Sequence, residues 1–224
     1  LSPLFKPSGG NEMHDRIHRQ GTQNVVDAAE ETGVEKIVQM SALGADPNGD
    51  TAYIRAKGEA EEIVKSSSLR YVIFRPSVIF GDGGEFVPFT KKLAPPYLTP
   101  LPGGGKTRFQ PIWIGDLTPM LADATEDDAY DGGIYEIGGP EKRTLAEIAR
   151  LVHGSEGRPA TVVPVPMALA KIGLSVLGSV PGAPMGADQY RSLQFDNTTQ
   201  HNDVEAFGVD EGDLKTLGDY LAGR

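Results

Sequence analysis

The sequence has no cysteine and only one tryptophan in its 224 residues. The absence of cysteine excludes disulfide bonds, thiolate metal sites and a cysteine nucleophile. No apolar run approaches the roughly 18 residues that a membrane-spanning helix needs, and no signal peptide is recognisable. Together these absences predict a cytoplasmic protein without a membrane span.

Basic residues are also scarce, since 21 lysines and arginines stand against 31 aspartates and glutamates. The resulting formal net charge of −10 disfavours nucleic acids and acidic membranes as partners. His14, His153 and His201 show no spacing typical of metal ligands, so no metal site is predicted. Because 39% of the residues are hydrophobic, the chain can bury a sizeable core, in one large domain or in one domain with a subdomain.

The first third of the sequence alternates between helical and strand patterns. Apolar residues recur at helical spacing over residues 12–32, and Gly33 follows as a stop signal. Residues 36–40 and 69–74 have the pattern of buried strands, and residues 52–66 between them have the pattern of a helix. This alternation predicts an α/β fold with a parallel sheet.

After Gly81 the pattern becomes less regular, with several Gly- and Pro-rich turns. The predicted elements there are strands over 109–114 and 134–137, a helix capped by Asp116, a helix begun by a Thr144/Glu147 capping box, and helices after Pro166, near 187–194 and over 211–221.

The sharpest local feature is the pair Tyr53 and Lys57. Four residues apart on a helix, the two side chains lie on the same face. An ammonium beside a phenol favours the phenolate and lowers the pKa of the hydroxyl. Such a tyrosine can exchange a proton with a carbinol or carbonyl while a nicotinamide moves the hydride, and the lysine can bond a ribose hydroxyl. Chance alone gives such a pair about 0.3 times in a chain of this content, so an ordinary surface pair is the alternative.

Several further segments occur in the order typical of one protein family. They are residues 21–29 (GTQNVVDAA), the strand into Ser41-Ala42, residues 75–81 (RPSVIFG), residues 101–117, and Gly138-Gly139-Pro140 ahead of the Thr144 helix. On these segments and the Tyr53/Lys57 pair, the chain resembles the extended and atypical short-chain dehydrogenase/reductases. It is most similar to the branch that includes the nucleotide-binding accessory subunit of respiratory complex I and NAD-dependent epimerase/dehydratase-like proteins.

The resemblance implies a Rossmann-type doubly wound parallel sheet, here without its N-terminal strands, and a smaller helix-rich C-terminal substrate portion. Residues 1–81 would form the C-terminal half of the NAD(P)-binding domain. Residues 82–224 would form a mixed segment, with strands at about 108–137 returning to the sheet and a helix-rich subdomain on the substrate side.

The resemblance also implies NAD or NADP as cofactor and assigns roles to particular residues. The catalytic candidates are Tyr53, Lys57 and Ser41. The candidates for contacting the cofactor are Tyr53, Lys57, Pro76, Ser77 and Val78, although the last three also fit an ordinary strand end. Arg108 is the candidate for contacting a substrate, with a spacing to Asp116 that is one residue longer than in sugar-nucleotide enzymes.

Two positions depart from the family pattern. Leu43 stands where relatives have a serine or threonine that helps to hold the substrate oxygen, and His18 stands where many have asparagine. Ser41 therefore fits a structural role, bonding within the protein, better than a role at the substrate. His18 fits a polar packing residue better than a ligand or a base.

The Gly-rich phosphate-binding turn of the family has no counterpart in this sequence. The run Gly103-Gly104-Gly105 follows Pro102 and lacks the strand-turn-helix context of such a turn. By the resemblance, Leu1 falls near the end of the fourth strand, and we expect roughly 70 residues upstream that include the phosphate-binding loop.

Three hypotheses for function follow. The first is an NAD(P)-dependent oxidoreductase or epimerase-like enzyme that acts on an unidentified small molecule. The second is a non-catalytic dinucleotide-binding sensor or assembly subunit. The departures from the family pattern at Leu43 and His18 favour this hypothesis. The third is a purely structural interaction protein. A homo-oligomer and a larger assembly are both compatible with the sequence.

Overall fold

A computed structural model of the protein describes residues 11–166 and 191–223. The α-helices are α1 (Glu12–His14), α2 (Gly21–Thr32), α3 (Ala52–Ser66), α4 (Phe86–Leu93), α5 (Ile114–Glu126), α6 (Leu145–Gly154) and α7 (Leu217–Leu221). The strands are β1 (Lys36–Met40), β2 (Arg70–Pro76), β3 (Ile79–Phe80), β4 (Tyr97–Pro102), β5 (Arg108–Phe109), β6 (Ile112–Trp113), β7 (Ile134–Ile137), β8 (Arg143–Thr144) and β9 (Ala160–Val165). A π-helical segment, Asp15–Gln20, joins α1 to α2, and 3₁₀ turns cover Asp128–Tyr130, Asp203–Phe207 and Glu211–Asp213.

The central sheet consists of three parallel strands in the order β1-β2-β7. In the middle strand, Val72, Ile73 and Phe74 are fully buried, because helices or other elements cover both faces of the sheet. A strand buried on both faces has a continuous apolar run instead of alternation, which is the pattern of residues 71–74. The prediction of an α/β fold with a parallel sheet is confirmed.

Helix α3 is placed by its first residues and by one glycine. The Thr51 hydroxyl caps it by accepting a hydrogen bond from the Ile54 amide at 3.2 Å. At Gly58 a Cβ would lie 2.3 Å from the backbone nitrogen of Pro47, so only glycine allows the loop over residues 44–50 to pack this closely on the helix. This packing holds the N-terminal turns of α3 beside the carboxyl end of β1.

The rest of the described chain forms smaller strand pairs. Strand β3 pairs with β6 and β4 with β9, both parallel, whereas β5 and β8 are antiparallel. A second core of phenylalanine and aliphatic side chains lies between α4, α6 and these strands; it includes Phe80, Phe86, Phe89, Leu101, Phe109 and Ile148. The division of the chain into domains at residue 81 stays a prediction.

Three sequence predictions in this second region are wrong in detail. The strand predicted over 109–114 is divided into β5 and β6 at Gln110-Pro111, because Pro111 has no N–H and the Gln110 side chain donates to the Gly139 carbonyl at 2.9 Å. Asp116 does not cap α5, which begins at Ile114; its carboxylate accepts from the Lys215 amide at 2.8 Å. The helix predicted over 211–221 is a 3₁₀ turn followed by α7.

The capping box of α6 is confirmed, with the Thr144 hydroxyl and the Glu147 carboxylate each bonding the backbone amide of the other residue. The helix predicted after Pro166 lies outside the described residues, as does the first half of the one predicted near 187–194. Within residues 11–166 and 191–223, every helix is too short or too polar to span a lipid bilayer.

Candidate functional site

A cavity of about 930 Å³ opens at the carboxyl ends of β1 and β2, beside the N-terminal half of α3. In open parallel sheets, ligands bind at this edge, because the loops that follow the strands diverge there. The cavity is lined by nearly all the residues singled out in the sequence: Ser41, Tyr53, Lys57, Pro76, Ser77 and Val78.

Tyr53 and Lys57 are both buried on α3 and both line this cavity. The Lys57 ammonium donates a hydrogen bond to the carbonyl of Met40, the last residue of β1, at 2.7 Å. That bond fixes the helix to the carboxyl end of the strand. An ammonium has three N–H donors, so donors remain for a hydroxyl in the cavity.

The surroundings shift the pKa values of the two groups in different ways. Burial lowers the pKa of Lys57 to about 8, although the nearby Glu61 carboxylate opposes the shift. Burial also raises the pKa of Tyr53, whereas the sequence predicted a lowered value from the adjacent ammonium. Desolvation of the phenolate is the cause, and the Lys57 ammonium donates to the Met40 carbonyl. The tyrosine therefore keeps its proton throughout the neutral range.

Two histidines pack edge-on against the Tyr53 ring. The centroids of His14 and His18 each lie 5.4 Å from that ring, and the two imidazoles stack on each other at 5.9 Å. The π-helical segment brings His18 to the cavity wall, and such segments recur at functional sites. Burial and the charge of Lys57 lower the pKa of His18 to about 3, so its imidazole is neutral at physiological pH.

The Ser41 hydroxyl donates to Glu61, a carboxylate that is only 1% exposed. The Arg75 guanidinium binds the same carboxylate through two nitrogens, at 2.9 and 2.6 Å. Ser41 thus lines the cavity while its hydroxyl is engaged in the protein. The sequence analysis missed Glu61, but its position four residues after Lys57 on one helix face was a usable signal.

The turn after β2 is held by Asn197, a residue 120 positions later in the chain. The Asn197 side-chain oxygen accepts from the Ser77 hydroxyl at 2.7 Å and from the Val78 amide at 3.0 Å. The backbone of Asn197 also donates to the Arg108 carbonyl at 2.8 Å and accepts from the Gln110 amide at 3.1 Å. Residues 195–198 therefore form a wall of the cavity, which no local sequence pattern indicates.

Arg108 lies next to the wall formed by residues 195–198 but does not line the cavity. Its backbone amide donates to the Asp196 carboxylate at 2.8 Å, and the residue is exposed. It is not among the described residues that line the cavity. The substrate role of Arg108 stays a prediction.

Residues 6–92, which include β1, α3, β2 and the Tyr53/Lys57 pair, match a protein family described as NAD(P)H-binding. This match, which covers fewer than half of the 224 residues, shows similarity to that family over the N-terminal part of the chain. The similarity to curated proteins agrees with this assignment. The chain is 30% identical, over 164 residues, to the mitochondrial NADH dehydrogenase (ubiquinone) 1 alpha subcomplex subunit 9 of Arabidopsis thaliana. The match covers 71% of this chain and 40% of that relative, so the chain spans less than half the length of the relative.

The similarity to solved structures shows the fold of this chain. An NADPH-dependent quinone oxidoreductase of Escherichia coli, solved in complex with NADPH, superimposes with a TM-score of 0.69 at 19% identity, over 92% of this chain and 71% of the other. A nucleoside-diphosphate-sugar epimerase of Staphylococcus aureus gives a TM-score of 0.67 at 18% identity, over the same shares. The Rossmann-type fold and the resemblance to the atypical dehydrogenase/reductases are confirmed. The cytoplasmic location stays a prediction.

Proposed function

We propose that the protein binds NAD or NADP at the carboxyl edge of its sheet and is an oxidoreductase or epimerase-like enzyme. One observation carries the proposal: Tyr53 and Lys57 are buried side by side on α3 and face a cavity at that edge. When bound, the nicotinamide ring supplies the hydride transfer. The family match over residues 6–92 supports the dinucleotide as the ligand.

The donor set fits the nicotinamide-ribose end of such a cofactor. Lys57 offers N–H donors for ribose hydroxyls, and its pKa of about 8 leaves it mostly charged near pH 7. Pro76 and Val78 line the same cavity where β2 ends, and Asn197 holds the intervening Ser77 by its hydroxyl. These groups are fixed within the protein, which lowers the entropic cost of binding.

In this proposal Tyr53 acts as the proton donor. Because burial raises the pKa of its hydroxyl, the group is protonated at neutral pH and can donate to a carbonyl oxygen. Lys57 holds a cofactor hydroxyl and stabilises negative charge that develops on the phenol oxygen. His18 is neutral and contributes a hydrogen-bonding nitrogen, not a charge.

The test is Tyr53→Phe in the purified protein, assayed for carbonyl-dependent oxidation of NADPH and NADH and for calorimetric binding of both. We expect turnover to fall by about 100-fold or more, because the proton donor is removed. We expect cofactor affinity to change by no more than about twofold, because the ring remains. The control is Tyr97→Phe, an exposed tyrosine outside the cavity. Unchanged turnover in Tyr53→Phe would contradict the proposal.

A second candidate function is a dinucleotide-binding subunit without turnover, within a homo-oligomer or a larger assembly. Two observations favour it: the Ser41 hydroxyl is engaged by Glu61, and the apolar Leu43 is buried where a substrate-binding hydroxyl was expected. The name of the Arabidopsis relative, a subunit of NADH dehydrogenase, points the same way. Cofactor binding without oxidation of NADPH or NADH by any carbonyl compound would select this candidate.

A further inference from the structure

Part of the cavity is formed by apolar side chains, which we call the apolar wall: Val78, Phe80, Phe86, Phe109, Ile114 and Phe195. Phe80, Phe86 and Phe109 belong to the buried core, so this side of the cavity is rigid. The Phe195 ring, in contrast, is 54% exposed. An exposed aromatic ring in a cavity is stabilised when another apolar group covers it, so the wall favours an apolar ligand.

The charged groups in the cavity are predominantly negative. Six carboxylates line it: Asp46, Asp50, Asp82, Glu85, Glu136 and Asp196. In the described part of the chain, Lys57 is the one lysine or arginine in the lining. An anionic group on a substrate in this cavity would therefore meet an excess of like charge.

Three of the carboxylates lie in the segments that also form the apolar wall. Asp82 and Glu85 stand between Phe80 and Phe86 in the sequence, and Asp196 follows Phe195. The Asp82 carboxylate accepts from the Tyr220 hydroxyl at 2.7 Å, and the Asp196 carboxylate accepts from the Arg108 amide.

These neutral donors orient the two carboxylates without cancelling their charge. Among residues 11–166 and 191–223, no lysine or arginine forms an ion pair with Asp82, Glu85 or Asp196. Within the described residues, their negative charge thus has no cationic partner, and all three residues line the cavity.

We propose that the substrate of this site is an uncharged, apolar carbonyl compound, and that substrates bearing a carboxylate, phosphate or sulfonate are rejected. The inference rests on the proposed function, because it assigns the substrate class of the same site. The apolar wall favours the body of such a compound, and the Tyr53 hydroxyl can bond its carbonyl oxygen. The carboxylates beside the wall act against anions through like charge, which is a common source of specificity.

The test uses two probes that differ in one charge, methyl 4-formylbenzoate and 4-carboxybenzaldehyde. Their dissociation constants are measured by ligand-observed NMR on the purified protein, with and without the oxidised dinucleotide, so that no turnover is needed. We expect the uncharged ester to bind at least about tenfold tighter than the acid. Equal or tighter binding of the acid overturns the inference, and so does the absence of binding by both probes at millimolar concentration.

Two variants connect the result to these residues. In the triple variant D82N/E85Q/D196N we expect the preference for the ester to shrink to about threefold or less, because the like charge is removed. In Phe195→Ala we expect the ester to bind about fivefold or more weakly, because the exposed ring is lost. The control is Asp123→Asn, an exposed carboxylate outside this cavity, which leaves both constants unchanged. A triple variant with the wild-type preference overturns the inference.

Calorimetric titration of the same samples with NADP and NAD separates the two proposals. If a dinucleotide binds but the probes show no charge preference, the substrate class is wrong and the proposed function stands. If neither dinucleotide binds, the proposed function itself fails.

Discussion

At the amino ends of β1 and β2, basic side chains pair with carboxylates, several of them exposed, whereas at the carboxyl ends Lys57 and Glu61 are buried. Lys36 bonds Asp131 at 2.6 Å, and Arg70 bonds Asp128, Asp131 and Glu35, whose side chain is 81% exposed. The pairs of Arg70 with Glu35 and Asp128 keep much of their hydration, so each contributes little to stability and little is lost if it breaks.

The carboxyl ends show the opposite arrangement. The Glu61 carboxylate is almost completely buried against the Arg75 guanidinium, and the Lys57 ammonium is buried against a backbone carbonyl. Burying charge costs free energy that well-placed partners only partly return. The difference indicates that charged groups at the amino ends serve solubility. At the carboxyl ends, by contrast, Lys57 occupies a position that stability alone would not favour.

The largest expected difference in the free energy of unfolding comes from removing one carboxylate at the carboxyl ends of the strands and one at the amino ends. In Glu61→Ala we expect the free energy of unfolding to fall by about 3 kcal/mol or more, because Arg75 is left without its buried partner. In the matched variant Glu35→Ala we expect a loss of about 0.5 kcal/mol or less, because that pair is exposed. Urea denaturation followed by circular dichroism measures both. Losses of equal size would mean that the two ends do not differ as described.

Replacing a lysine at each end is expected to change stability in opposite directions. Lys57→Met should raise the free energy of unfolding by about 2 kcal/mol, because burial that lowers the pKa to about 8 also destabilises the charged form in the folded protein. Lys36→Met should lower it by about 1 kcal/mol, because the bonds to Asp131 and to the Asp127 carbonyl are lost.

Whether the buried charge of Lys57 destabilises the folded protein can be checked separately from the pH dependence of the free energy of unfolding. Between pH 8 and 10.5 the unfolded chain holds the lysine proton and the folded protein does not, so stability gains a contribution from Lys57 as pH rises through this window. That rise should be absent in Lys57→Met. A Lys57→Met variant less stable than the wild type at pH 7 would show that the hydrogen bond to Met40 outweighs the cost of burial.

The smallest expected effect is a change in the stability of the folded protein at acidic pH. The pKa of His18 is about 3 in the folded protein against an ordinary value of 6.5, so below pH 6.5 the unfolded chain takes up a proton that the folded protein does not. The His18 contribution is therefore lost as pH falls from 6.5 towards 3. Asp131, at the other end, has a lowered pKa owing to its bond with Lys36, and its contribution is lost only below about pH 3.8.

We expect the urea midpoint of His18→Gln to change less between pH 6.5 and 4.5 than that of the wild type. Asp131→Asn, the matched variant, should retain the wild-type change over the same range. If His18→Gln follows the wild-type curve, the folded imidazole takes up its proton at an ordinary pH and is not shielded beside Tyr53.

The sequence predicted the elements that carry the site, because their signals are local. Strand β1, helix α3 and strand β7 have the predicted bounds, and the four-residue spacing of Tyr53 and Lys57 was sufficient to place both on one helix face. The parallel sheet then brings the ends of β1 and β2 together without further information.

The parts that could not be predicted depend on contacts between distant residues. The direction of the Tyr53 pKa shift depends on how deeply other elements bury α3, which helical periodicity does not reveal. The break between β5 and β6 depends on Gln110 reaching Gly139 and Thr199, and the cavity wall depends on Asn197 reaching Ser77. None of these pairs has a spacing that marks it in the sequence.

The bond between Asn197 and Ser77 also has a consequence for the order in which the protein matures on the ribosome. Strands β1 and β2 and helix α3 are complete once residue 76 has emerged, so the Tyr53/Lys57 pair can form before the second region of the chain is made. The turn after β2 cannot be fastened until 120 further residues have been translated. A nascent chain arrested before residue 197 would therefore lack the wall formed by residues 195–198, and the cavity would be completed only after that segment has been synthesised.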